Sequence, residues 1–299
     1  MSEESRYIQW NEVVRENKLP IWHLNCLECS NEVFTLGMYE RQGRSVRWFR
    51  APMYDVNGRY MIVLAIDTCE ARGSVALLRD DSVVQIVVHK DSEEYSSWLL
   101  PAAGELLASL GLTIRDVELF AVAPGPGSFT GVRIGLTTVK AWSEALERPI
   151  AAVSRLEALA SLAAGDAGYV GTFIDAQRGQ LFGAIYNRQG TVMELVGEEM
   201  VATAESFVTS VAEQIGTAKV AWVSSDPAVV ENAPNWQVRT GRGEEILKVS
   251  SVLAPVIGKL GFQKALAGKV LDALSLDANY VRRSYAEVSW KCIPNAAGK

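Results

Sequence analysis

Histidine is almost missing from this 299-residue chain: His23 and His89 are the only two. That scarcity leaves little material for a catalytic triad or a histidine-rich metal centre. The four cysteines (Cys26, Cys29, Cys69 and Cys292) are too sparse for a disulfide scaffold. No apolar run approaches the roughly 18 residues of a membrane span, and the polar start from Met1 to Trp10 is unlike a secretory signal. A basic surplus is lacking too, because the formal net charge is −6. Residues 1–60 hold equal numbers of acidic and basic side chains, so residues 61–299 carry the whole deficit. An acidic body is poorly suited to neutralise phosphates by itself, so any nucleic acid would need basic surface from another subunit. These absences point to a cytoplasmic protein with thin chemistry of its own.

What is present divides at Met61. Residues 1–60 contain Trp10, Trp22 and Trp48 and many charges, with little sustained periodicity. His23, Cys26 and Cys29 form half of a zinc pattern, but no second pair follows within the segment. The segment reads as an extension of unknown use, or as upstream sequence with Met61 the true initiator. From Met61 the hydrophobic pattern is that of an α/β fold. Strands are expected at 61–67, 73–79, 83–89, 118–123 and 150–153, with helices near 93–110 and 130–147. A second lobe, 154–299, is expected after a first lobe of 61–153. It opens with a helix at 154–164, then strands at 169–175, 179–187 and 191–197 and a helix at 203–214. A strand at 219–224 and helical segments at 244–250 and 254–268 complete it.

The run Ala123-Pro-Gly-Pro-Gly-Ser-Phe-Thr-Gly-Val-Arg-Ile-Gly135 stands between a strand and a helix. Proline fixes φ, glycine permits close backbone approach, and Ser128 or Thr130 can cap the helix that follows. Such a corner suggests phosphate binding. Its spacing nevertheless misses the dinucleotide fingerprint by one residue, no Gly-Lys-Ser/Thr follows, and Ser128 lacks the flanking glycines of a hydrolase elbow. Arg133 opposes the helix dipole in the first turn, so an anionic neighbour or partner would account for it.

The two lobes echo each other. Ile66-Asp67-Thr68 precedes Arg72-Gly73 and a strand, while Ile174-Asp175-Ala176 precedes Arg178-Gly179 and a strand. Each reads as a strand ending in Asp, a tight turn and an antiparallel return. Two lobes of that form suggest a duplicated fold of the actin, Hsp70 and sugar-kinase kind, with mixed sheets flanked by helices. Asp67, Thr68 and Asp175 would then face a nucleotide cleft, holding Mg²⁺ or orienting a nucleophile, unless each Asp merely caps its own turn. The sequence Asp67-Thr-Cys-Glu70 lacks the glycine that cradles phosphate in working kinases of that kind. His89 reads as a solvated surface residue, and Cys69 as a small buried side chain. On the first long helix, Trp98, Leu99, Leu100, Ala102, Ala103, Leu106, Leu107 and Leu110 spread apolar surface around most of the circumference. Such a helix needs cover on its far side as well, from the second lobe or a partner. Gly131, Gly135 and Ala141 keep the next helix low enough for close contact, and Pro101 is expected to kink the first.

These residues resemble the TsaB (YeaZ) family. The likeness is carried by Ile62–Thr68, Gly125–Gly135, Val153-Ser-Arg-Leu156, Ile174-Asp-Ala176, Tyr280-Val-Arg282, Val288-Ser-Trp-Lys291 and Pro294. It runs through residues 61–299, and Gly125, Gly127, Ser128, Phe129, Thr130 and Gly131 form its most specific part. The resemblance implies a role in making N6-threonylcarbamoyladenosine (t6A) beside the anticodon of tRNAs reading codons that start with A. It implies a non-catalytic partner that forms a heterodimer with the threonylcarbamoyltransferase TsaD, joined by the ATPase TsaE and reaching tRNA only through the complex. No metal or cofactor of its own is implied, with ATP or ADP at the complex interface. Candidate partner contacts are Trp98, Leu99, Ala102, Leu106, Arg133 and Gly135, and the same surface would serve a homodimer in isolation. Tyr95 departs from the family, many members having His near the start of this helix. A different class of reading remains, an ATPase or phosphotransferase using Asp67 and Asp175.

Overall fold

The computed structural model describes residues 60–90, 93–190 and 192–281, and the backbone of four strands within residues 9–52. Those strands, β1 (Gln9–Val13), β2 (Ile21–Asn25), β3 (Val33–Arg41) and β4 (Arg44–Pro52), form an antiparallel sheet in sequential order. The reading of Cys26 and Cys29 as half a metal site lies outside the described residues.

The rest of the chain builds two five-stranded sheets of one topology. The first comprises β5 (Ile62–Asp67), β6 (Ser74–Arg79), β7 (Ser82–Val88), β8 (Leu119–Val122) and β9 (Ile150–Ala152), ordered β7-β6-β5-β8-β9. The second comprises β10 (Tyr169–Gln177), β11 (Gln180–Gln189), β12 (Val192–Ala202), β13 (Val220–Ser224) and β14 (Ile246–Lys248), ordered β12-β11-β10-β13-β14. In each, the first three strands pair antiparallel and the last two add in parallel. The duplication expected from the two Asp turns is therefore present in strand order and polarity.

Helices α1 (Tyr95–Ala108) and α2 (Phe129–Leu146) cross between strands of the first sheet. After α3 (Arg155–Ala160), the second sheet takes α4 (Ala204–Ile215) and two short helical turns, α5 (Ala228–Glu231) and α6 (Trp236–Thr240). Helix α7 (Ala254–Leu266) returns to pack on β5, β6, β8 and β9, so late sequence completes the core of the first sheet. Every β5 residue is buried, which requires cover on both faces and explains its continuous apolar run.

One expectation needs correction. Residues 244–250 read as helical, yet Ile246–Lys248 is an edge strand paired with β13. Glu-Glu-Ile-Leu-Lys favours helix locally, but Glu244 is drawn inward, where its carboxylate accepts from Trp222 Nε1 at 2.6 Å and pairs with Arg239 at 3.4 Å. The turns α5 and α6 carry no sustained period and have no counterpart in the sequence reading. Pro101 lies inside helix α1, as expected from the sequence.

Candidate functional site

Asp67 ends β5 completely buried, at the turn where a phosphate-handling lobe would place a working carboxylate. Its Oδ1 accepts the Cys69 N–H at 3.0 Å, and its Oδ2 accepts the Arg155 Nε–H at 3.1 Å. The other end of the same guanidinium is hydrogen-bonded to Glu70. Arg155 opens α3, whose preceding Ser154 caps the helix by accepting the Leu156 N–H, and its own N–H donates to Gly125 O at 3.0 Å. A fully buried cation thus sits between the two carboxylates of the first turn. Burial opposes its charge, but Asp67 and Glu70 outweigh that and hold its pKa above the ordinary arginine value. Both Asp67 oxygens are thus engaged from within the chain, and one guanidinium is shared between the two carboxylates.

The Gly-Pro corner is filled as well. The Ser128 N–H donates to Cys69 O at 2.7 Å, and the Thr68 hydroxyl donates to Gly131 O at 2.7 Å. A Cβ on Gly127, Gly131 or Gly135 would lie 2.2, 2.0 or 2.4 Å from Cys69 O, Thr68 O or Thr68 Oγ1. These glycines seat the Thr68–Cys69 backbone where a cradle would seat phosphate. Ser128 caps α2, accepting the Gly131 N–H at 3.3 Å, while Thr130 stays exposed. Burial pushes the Cys69 thiol well above the ordinary range, which keeps it protonated and unreactive.

Asp175 takes the bland alternative. It is exposed, and its two oxygens accept from the Gln177 backbone N–H at 2.7 Å and the Gln177 side-chain amide at 2.9 Å. The aspartate caps its own turn. The second lobe repeats the shape of the first turn without its buried ion pair.

Arg133 finds aromatic neighbours in place of an anion. Its guanidinium lies 3.7 Å over the Phe129 ring, and its Nε–H donates to Tyr280 Oη at 2.9 Å. The Phe129 and Tyr280 rings stack at 5.1 Å, and all three side chains are exposed. On α1, Leu99 and Leu106 are 1% exposed and packed in the core, and Ala102 is buried. They do not offer their side chains to a partner, and neither does Gly135, whose near side faces Thr68. Trp98 is half-buried, whereas Leu100 is 55% exposed.

Two residues were missed or misread. His89 is buried, stacked on Tyr95 at 4.0 Å, with its ring nitrogens 2.9 Å from Ala71 O and 2.8 Å from Glu93 O. Tyr95 Oη accepts the Gly73 N–H at 2.7 Å and donates to Glu70 O, and burial raises its pKa. Together they brace the far side of the 68–73 turn. The signal available was the position of Tyr95 at the start of the first long helix.

Glu199 on β12 joins the surrounding pieces. Its carboxylate accepts from Ser154 Oγ, from Tyr186 Oη at 3.3 Å and from Asn279 Nδ2 at 2.6 Å. The Asn279 N–H in turn donates to Pro124 O at 2.8 Å. Burial raises the Glu199 pKa above its ordinary 4.5, although these three donors oppose the shift. A carboxyl whose folded pKa is raised contributes most below its unfolded value and loses that contribution as pH climbs through the folded value. Glu199→Gln is therefore expected to gain stability relative to the parent as pH rises from about 4.5 towards neutrality. Thermal melts across that window read the difference, and parallel profiles would refute it.

With this geometry in hand, comparison with known proteins is informative. Residues 84–257 match the model of the family described as TsaD: tRNA N6-adenosine threonylcarbamoyltransferase. The tRNA threonylcarbamoyladenosine biosynthesis protein TsaB of Bacillus subtilis (strain 168) is 36% identical over 146 residues, 48% of this chain and 64% of that one, just under two thirds of its length. Its namesake in Escherichia coli (strain K12) is 29% identical over 78% of this chain and 99% of its own. YeaZ from Pseudomonas aeruginosa superposes with a TM-score of 0.60 at 29% identity, over 74% of this chain and 99% of that structure. The chain belongs to the TsaD-type threonylcarbamoyltransferase family and, within it, to the TsaB (YeaZ) group.

Proposed function

We propose that this chain is a non-catalytic subunit that binds a TsaD-type threonylcarbamoyltransferase and is required for t6A formation in tRNAs reading codons that start with A. One observation carries the reading: Arg155 occupies the space between Asp67 and Glu70, so the turn that would handle a nucleotide is closed by the chain itself. The relatives named for t6A biosynthesis supply the pathway. ATP or ADP would be held where the subunits meet rather than by this chain alone, with a TsaE-type ATPase joining the pair and tRNA reached through the complex. A homodimer would use the same helices when the catalytic subunit is absent.

The docking surface we assign is the outer face of α1 and α2, where Leu100, Phe129 and Arg133 are exposed. Leu100→Glu is expected to abolish co-purification with the catalytic subunit without unfolding the chain, because an unpaired carboxylate buried at an interface costs several kcal/mol. Unchanged co-purification would sink this interface. Depleting the chain should remove t6A from tRNA while the catalytic subunit is still present, measured by nucleoside mass spectrometry. The alternative, an independent ATPase or phosphotransferase, requires ATP turnover by the isolated chain that Asp67→Asn abolishes.

A further inference from the structure

At the opposite end of β5 from Asp67, roughly 17 Å away along the strand, lies a cavity of about 500 Å³. Such a volume is in the range of small-molecule sites. Tyr60, Arg115, Asp116, Glu118 and Arg148 supply its chemistry. The Arg148 Nε–H is buried and has no hydrogen-bond partner. It is one of four buried arginine nitrogens without a partner among the described residues, and the one whose residue lines this cavity. Arg115, which ends the same wall, is exposed and has no ion pair among the described residues. Two guanidinium groups therefore border one cavity with their donors uncommitted.

The carboxylates there are partly committed. Glu118 Oε2 accepts the Ile62 N–H at 3.2 Å, and Asp116 Oδ2 accepts both the N–H and the hydroxyl of Thr113, leaving Oδ1 available. Those bonds hold the Asp116 carboxyl below its ordinary pKa, so it stays charged. Tyr60 contributes an aromatic wall, and the Arg79 guanidinium lies 4.4 Å over its ring. That contact fixes the ring as a platform without relying on the ligand.

We propose that this cavity binds a nucleoside phosphate, with Arg115 and Arg148 on the phosphate, Asp116 on the ribose hydroxyls and the Tyr60 ring against the base. Guanidinium pairs suit phosphate oxygens, a carboxylate suits vicinal hydroxyls, and a tyrosine face suits any base. A simple carboxylate or inorganic anion would leave Asp116 and Tyr60 unused. The same unit is presented by a free nucleotide and by the phosphorylated end of an RNA strand, so both are tested.

The full chain is titrated calorimetrically with AMP, with inorganic phosphate and with a short unstructured RNA carrying a terminal phosphate. AMP or the RNA is expected to saturate with Kd below about 1 mM, more tightly than inorganic phosphate. Arg115→Glu should weaken that binding by about tenfold or more, and Tyr60→Ala should weaken the base-bearing ligands without changing the response to phosphate. Tighter binding of the RNA assigns the site to RNA; tighter binding of AMP assigns it to a free nucleotide. Both substituted side chains are solvent-exposed, so neither variant should compromise folding. Absence of binding by AMP and RNA alike, or binding indifferent to both substitutions, overturns the proposal.

Discussion

Arg155→Ala is expected to lower the unfolding free energy by about 3–5 kcal/mol, the usual result of removing one partner from a buried ion pair. In a domain of this size that corresponds to a melting midpoint on the order of 10 °C lower. The argument rests on what remains. Asp67 is fully buried and keeps only the Cys69 N–H, so its charge loses the one cation that offsets its desolvation. Glu70 is half-exposed and can turn to water, so most of the loss belongs to Asp67. The pair as a whole need not be strongly stabilising, because the guanidinium also loses its hydration. Hence Arg155→Met combined with Asp67→Asn should recover much of the stability, since no unpaired charge is left buried. Urea denaturation of the single and the double variant reads both effects. A single-variant loss under about 1 kcal/mol, the level of a surface pair, would show that the ion pair does not hold the turn.

Why the sequence reveals the sheets but not this ion pair is a matter of range. Ile62–Asp67 and Leu119–Val122 are short apolar runs whose neighbours along the chain already mark them as buried strands. The Asp-turn-Gly repeat at 67–73 and 175–179 is equally local, and the duplicated topology follows from it. The partnership of Asp67 with Arg155 spans 88 positions and depends on α3 docking beside the corner, which no local pattern encodes. His89 shows the same limit. A lone histidine at a strand end looks solvated until α1 lays Tyr95 and Trp98 against it. Asp175 is the reverse case, its partner Gln177 being two residues away. Turn capping is open to both aspartates in the sequence, and only burial separates Asp175 from Asp67. On α1 the wide apolar circumference was legible, yet its division between core and outer surface was not. Leu99 and Leu106 take the inner side and Leu100 the outer, one helical position apart.

Gly131→Ala is expected to destabilise the chain by about 2–3 kcal/mol or more, as overpacking against fixed backbone does, although alanine is the better helix former by about 1 kcal/mol. The added Cβ would sit 2.0 Å from Thr68 O and 3.1 Å from its carbonyl carbon, so either the first turn of α2 or the 68–70 turn must move. Neither has room to yield. The Thr68 hydroxyl is bonded to Gly131 O and Cys69 O to the Ser128 N–H, while Arg155 holds Asp67 and Glu70 from behind. Gly104 provides the matched control. It is an exposed α1 position where a Cβ meets nothing within 4 Å, so Gly104→Ala should stabilise by roughly 0.5–1 kcal/mol. The same chemical change in two neighbouring helices is thus expected to act with opposite sign, read as urea midpoints moving in opposite directions. Should Gly131→Ala prove neutral, the corner would have slack, and the 68–70 turn would not be locked against it. Because Phe129 and Arg133 flank Gly131 on the same first turns, a displaced α2 should also weaken binding of the catalytic subunit. Gly104→Ala tests the other side of that prediction: it adds a methyl to the assigned docking face while leaving the turn untouched.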